Sequence, residues 1–115
     1  MQYLILIHDD PSAWAAMSEE VRNANYGEYF TYTGAIRDEG IMQGGAPLVP
    51  SAQAKLVRVR NGAQVVSDGP YAETREQLGG YYLVEVESEE QAIAAAARVP
   101  SARFGTIEVR ALAEM

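Results

Sequence analysis

A chain of 115 residues is one domain, with room for a single core but not for two. Apolar residues at 48% and charged ones at 22% exclude a disordered or membrane-embedded chain and match a soluble globular protein. The formal net charge of −7 excludes a nucleic-acid binder, whose affinity comes from clustered Lys and Arg that neutralise phosphates.

Tyr3-Leu4-Ile5-Leu6-Ile7 is a continuous apolar run ended by His8-Asp9-Asp10-Pro11, which reads as a strand buried on both faces. A small domain covers one face with its own helices, and covering the other calls for a second subunit. Asp10 or Ser18 caps the next element. The segment from about Ser18 to Glu39 has helical spacing, with Tyr26, Tyr29, Phe30, Thr33 and Ile36 near one side and Gly40 as the stop. Gly27 and Gly34 inside it each cost roughly 1 kcal/mol relative to Ala, so a close approach of helix to sheet is the expected compensation.

Ile41 to Leu48 reads as a short strand with a bend at Gly44-Gly45, and Pro47 and Pro50 put its end at an edge. Lys55 to Arg60 and Ala63 to Ser67 flank Asn61-Gly62, the strongest short hairpin signal. A two-residue loop sets Arg60 opposite Ala63, Val57 opposite Val66 and Lys55 opposite Asp68. Gly80 to Val86 is a strand of aromatic and β-branched residues, entered through Gly79-Gly80. Ser88-Glu89-Glu90-Gln91 then has the capping-box pattern, starting a helix that runs to Val99 before Pro100, and Thr106 to Leu112 is a last strand. Two β-α-β-like halves bracketing an inserted hairpin make a ferredoxin-like α+β domain. Its helices cover one sheet face and leave the other for a partner, so a homodimer is expected.

No cysteine is present, which removes thiolate nucleophiles, zinc–thiolate sites and disulfides, and a lone His8 removes a multi-histidine metal cluster. No phosphate loop or nucleophile elbow appears, so no metal, cofactor or covalent intermediate is expected. The longest apolar runs fall far short of the roughly 20 residues that span a bilayer. Met1-Gln2-Tyr3 lacks the opening of a signal peptide, so the expected location is cytoplasmic, with no membrane partner.

Asp68-Gly69-Pro70-Tyr71-Ala72-Glu73-Thr74, followed by Glu76-Gln77-Leu78-Gly79-Gly80-Tyr81-Tyr82, joins a tight turn and an ionisable group to a strand. Asp68 is a candidate general base, or an acceptor for the N–H groups of its own turn. His8, at the end of the first strand, is a candidate acid–base group or a surface loop histidine. Tyr71, Tyr81 and Tyr82 line a cavity with polar tips, or serve core and interface.

Those two segments resemble the signature of the YCII-related proteins of the DGPF subgroup, with Tyr71 where the subgroup name has Phe, and the similarity extends over nearly the whole chain. The resemblance implies a ferredoxin-like fold that dimerises sheet to sheet into an α/β barrel, and a site built on the Asp of the turn with a helix histidine. Here the Asp is Asp68, and Tyr29 stands at or near the histidine position. Tyrosine, with an ordinary pKa near 10, is a poor base at neutral pH. The resemblance thus yields two alternatives. One is a small-molecule enzyme moving a proton with Asp68, assisted by His8 or Tyr29, its ligand held by Gly69, Pro70, Tyr71 and Tyr81. The other is a non-catalytic ligand-binding or regulatory module associated with an extracytoplasmic-function sigma factor.

Overall fold

The computed structural model describes residues 1–114. Four antiparallel strands form its main sheet: β1 (Gln2–Asp9), β2 (Met42–Pro47), β5 (Gln77–Glu85) and β6 (Thr106–Ala111), in the order β2-β5-β1-β6. Between β2 and β5, β3 (Lys55–Arg60) and β4 (Ala63–Asp68) form a separate two-stranded sheet. Three helices complete the fold: α1 (Pro11–Ala16), α2 (Glu19–Asp38) and α3 (Glu89–Ala97).

Along β1 the burial alternates: Tyr3, Ile5 and Ile7 are buried, whereas Leu4, Leu6 and His8 on the other face are half-buried. The single chain thus buries one face of β1, because both long helices lie on one side of the sheet; the expected burial of the other face depends on a second subunit. Tyr3, Ile5 and Ile7, with Tyr82 and Val84 of β5, form one core with Tyr32 and Ile36 of α2 and Ala92, Ala95 and Ala96 of α3. Small alanines on α3 bring it close to the sheet, and Ile5, Ile36 and Val84 are fully buried.

Both candidate caps are used, one for each of two helices. Asp10 accepts from the Ser12 N–H and starts α1, a short helix absent from the sequence reading. Ser18 accepts from the Val21 N–H and starts α2. The buried stripe of α2 is Asn25, Tyr32 and Ile36 with Tyr29 beside it, while Tyr26 and Phe30 face solvent. Spacing decides this: positions 25, 29, 32 and 36 recur on one face, and 26 and 30 lie beyond its edge. Nor do Gly27 and Gly34 mark a close approach, since a Cβ at either would meet open space.

The hairpin register is the expected one in all three pairs, Arg60↔Ala63, Val57↔Val66 and Lys55↔Asp68. Asn61 and Gly62 both have positive φ, as the tight two-residue turn requires. Ser88 accepts from the Gln91 N–H and starts α3, and after Val99 the chain tightens into a single 3₁₀ turn, Pro100–Arg103. Strand β5 begins three residues before the expected Gly80, at Gln77. Among the described residues, no helix is long and apolar enough to cross a membrane.

Candidate functional site

At the rim where β1 ends, the sheet is irregular. Ile7 pairs with Gly80 but His8 pairs with Leu78, so Gly79 is an extra residue bulged out of β5. A Cβ on Gly79 would stand 3.2 Å from Asp9 Oδ1, and one on Gly105 would stand 3.2 Å from Asp9 Cβ and 2.5 Å from the His8 carbonyl oxygen. Two glycines therefore make the space that Asp9 occupies, Gly79 beside its carboxylate and Gly105 beside its Cβ. Sequence reasoning treated Gly79 only as easing entry into a strand.

Asp9 is the candidate that sequence reasoning missed. It continues the parity of Tyr3, Ile5 and Ile7, so its side chain lies on the helix side of the sheet. That parity is the signal available in the sequence: an acid at the next inward position of an alternating strand. Burial pushes its pKa up from the ordinary carboxylate value, with the Glu76 and Asp10 charges adding to the rise. A hydrogen bond from Trp14 and the nearby His8 pull the other way. The Trp14 bond runs from Nε1 to Asp9 Oδ2 over 2.8 Å. The indole stacks on Tyr26 at 5.6 Å and meets Phe104 edge-on at 6.0 Å, forming an aromatic roof over the carboxylate.

Tyr29 approaches from α2. Its hydroxyl shares a 2.5 Å hydrogen bond with Ser101 Oγ, and Ser101 is fully buried. Desolvation raises the Tyr29 pKa, the Asp9 charge raises it further, and the Ser101 bond opposes both. Alongside, the hydroxyls of Thr33 and Tyr82 are 2.7 Å apart.

The other expected site residues lie elsewhere. His8 points to the opposite face of the sheet, where Nε2 is 2.9 Å from Glu108 Oε1; this bond holds the Glu108 carboxyl below its ordinary pKa. Asp68 closes the base of the hairpin, its side chain 75% exposed and its Oδ1 accepting from Lys55 Nζ. Among the described residues Asp68, His8 and Tyr29 share no hydrogen bond, because Asp68 belongs to the outlying two-stranded sheet and His8 and Tyr29 lie on opposite sides of the main one.

The signature segment after Asp68 is largely fastened to itself. Gln77 Nε2 donates to the carbonyls of Ala72 and Thr74 at 2.9 and 2.7 Å, and Thr74 Oγ1 donates to the Glu76 carbonyl at 2.6 Å. The Ser12 hydroxyl donates to Asp10 Oδ1 at 2.6 Å and, with Arg75, which reaches Oδ2 at 3.1 Å, holds the Asp10 carboxyl down at about 2. Pro70, Thr74, Arg75 and Gln77 face Asp10 and Ser12 across a shallow cleft of about 580 Å³. Gly69 packs its backbone against Ala54 and Ser51 and donates to the Ala54 carbonyl at 2.7 Å. Tyr71 is exposed, and Tyr81 is half-buried on the open sheet face opposite Leu6. Among the described residues no group of three His, Asp or Glu side chains is placed to hold a metal.

The chain is similar over its whole length to proteins whose activities are recorded unevenly. An uncharacterized protein of Rhizobium meliloti (strain 1021) is 34% identical over 115 residues, covering 98% of this chain and 93% of the relative. A solved structure of 5-chloro-2-hydroxyhydroquinone dehydrochlorinase from Burkholderia phenoliruptrix AC1100, in complex with 2,5-dihydroxybenzoquinone, matches with a TM-score of 0.59 at 17% identity. It covers all of this chain and 96% of that one, a likeness of fold. The model of the YCII-related domain matches residues 1–115, and with a relative at this identity the chain belongs to the YCII-related family.

Proposed function

We propose that this protein is a small acid–base enzyme acting on a hydroxylated ring compound, with Asp9 as the group that moves the proton. The observation that carries this reading is the half-buried Asp9 carboxyl, seated in a gap made by Gly79 and Gly105 and raised in pKa by its burial. A raised carboxyl pKa makes a stronger base at neutral pH and a better acid once protonated. As carboxylate it takes a proton from an acidic C–H or O–H of the bound molecule, and as the acid it returns one. The Trp14 N–H holds the orientation of Asp9. The Tyr29–Ser101 hydroxyl pair stays neutral and hydrogen-bonds a substrate oxygen. The roof of Trp14, Tyr26 and Phe104 supplies faces on which a planar ring stacks. The shared fold with a dehydrochlorinase solved with a dihydroxybenzoquinone supports that substrate class.

The quaternary reading is a ferredoxin-like domain pairing sheet to sheet with a second copy into an α/β barrel. The strand order and the placement of both long helices on one face support it. The open face presents Leu4 opposite Leu83 and Leu6 opposite Tyr81. In that dimer the His8–Glu108 pair lies toward the interface, and Pro70 and its cleft stay at the rim.

Trp14 is the sole tryptophan, so its emission reports on the site directly. Titration with 2-hydroxyhydroquinone is expected to quench it saturably in the wild type and with altered affinity in Asp9→Asn. An emission that follows only non-saturable collisional quenching in both proteins overturns the ring-binding reading.

A further inference from the structure

Helix α1 buries no residue, so its pose depends on what its two ends touch. At the N-terminal end Asp10 caps the Ser12 N–H. At the C-terminal end the contacts come from α2, back across the two-residue turn Met17-Ser18. Arg22 Nη1 donates to the Met17 carbonyl at 2.7 Å and to the Trp14 carbonyl at 3.4 Å, and Asn25 Nδ2 reaches Met17 Sδ at 3.6 Å. A helix leaves its last carbonyls without intrahelical donors, and a cationic donor suits that end best. One guanidinium nitrogen carries two N–H groups, so Arg22 joins both carbonyls at once.

Arg22 is half-buried and sits beside Glu19 and Glu20 in the sequence, yet it is committed to peptide groups. Ion pairs among the described residues engage Arg75, Arg98, Arg103 and Arg110, and none engages Arg22. Arg22, Tyr26 and Tyr29 follow the i, i+4, i+7 spacing of one helix face. That face meets the end of α1 with Arg22, the Trp14 ring with Tyr26 and Ser101 with Tyr29. One of the two carbonyls that Arg22 holds belongs to the residue whose indole binds Asp9. We propose that Arg22 is a positioning residue: by tying the Trp14 and Met17 carbonyls to α2 it sets the tilt of α1 and thereby places the Trp14 N–H on the Asp9 carboxylate. Its bearing on catalysis rests on the reading of Asp9 as the group that moves the proton, while the positioning itself is visible in the ligand-free protein.

Nitrogen-15 NMR tests this, because the sole tryptophan gives a single indole N–H resonance. In the wild type that resonance is expected to shift with pH as Asp9 ionises, a step absent from Asp9→Asn, and to exchange slowly with solvent. Arg22→Met keeps the apolar stem and removes the donors. In it the step is expected to shrink and the indole exchange to quicken about tenfold, the scale of one net hydrogen bond. Arg37→Met, at the exposed far end of α2, is expected to match the wild type. A folded Arg22→Met that keeps the wild-type step and exchange rate overturns the positioning and leaves the reading of Asp9 untouched. A wild-type indole with no step that depends on Asp9 overturns it as well, since the bond to be placed is then absent. A loosened indole in Arg22→Met together with unimpaired turnover by Asp9→Asn upholds the placing of Trp14 and removes Asp9 from the chemistry. Circular dichroism reports whether Arg22→Met is folded, and if it is not, Arg22→Gln, too short to span both carbonyls, is read in the same way.

Discussion

The Trp14 indole donates a 2.8 Å hydrogen bond to a carboxylate oxygen of Asp9, tying the short helix α1 to the end of the central strand β1. No residue of α1 is buried, so this bond and the stacking of Trp14 on Tyr26 hold the helix over the acid. Replacing Trp14 by Phe keeps the ring but removes the N–H, the hydrogen bond that lowers the Asp9 pKa. The Asp9 pKa is therefore expected to rise further in Trp14→Phe, read by carbon-13 NMR titration of the carboxyl. Stability at pH 7 is expected to fall by about 1–3 kcal/mol, since an acceptor loses its donor.

Asp9 itself has a definite pH signature. Its folded-state pKa lies above the unfolded value, so the folded state binds the proton more tightly, and stability falls as pH rises from the unfolded pKa through the folded one. Asp9→Asn has no such ionisation to carry. Its melting temperature is expected to exceed the wild type's at pH 7, and the gain is expected to shrink as pH falls toward about 4, the unfolded carboxyl pKa, and to change no further below it. Thermal denaturation across that range reads the difference.

The Tyr29–Ser101 pair makes a separate prediction. Ser101 is fully buried and Tyr29 desolvated, so Tyr29→Phe and Ser101→Ala each leave a hydroxyl without this partner. Each is expected to cost about 1–2 kcal/mol, with the double variant costing clearly less than the sum. Additive losses in a denaturation cycle would mean that the pair contributes nothing as a pair.

Gly105 is expected to tolerate nothing larger. A Cβ there would sit 2.5 Å from the His8 carbonyl oxygen, and a backbone atom on the central strand has little room to yield. Gly105→Ala should destabilise the fold by about 2–4 kcal/mol. Gly79→Ala meets only the Asp9 side chain, at 3.2 Å, so it should displace that carboxylate with a smaller loss of stability. Urea denaturation of the two variants ranks them.

Local signals made most of the fold legible. Asn61-Gly62 specified the turn and the register of the hairpin, Ser88 the start of α3, and the Gly40 stop the end of α2, because each acts through a few neighbouring backbone groups. Helix α1 was missed because Asp10 and Ser18 looked like rival caps for one helix when each starts its own. The width of the α2 stripe was overestimated because aromatic residues at 26 and 30 suggested core packing, whereas Tyr26 stacks on Trp14 at the rim and Phe30 is exposed.

The site was less legible. Asp68 attracts attention through its turn, yet it pairs with Lys55 across the hairpin in an exposed place, where such an ion pair contributes at most about 1 kcal/mol. Asp9 stands in a run of two acids that reads as a solvated loop. Its burial comes from Gly79, Gly105 and Trp14, three residues separated in sequence that meet only when the bulge and α1 form.

Chloride release from 5-chloro-2-hydroxyhydroquinone, followed for the wild type, Asp9→Asn and Asp68→Asn, is the most direct test of the assignment of proton transfer to Asp9. The expected result is release by the wild type above the uncatalysed background, a loss of about a hundredfold in Asp9→Asn, the scale of a missing general base, and a near wild-type rate in Asp68→Asn. Full activity in a folded Asp9→Asn, or a loss confined to Asp68→Asn, would contradict it and return the chemistry to the hairpin turn.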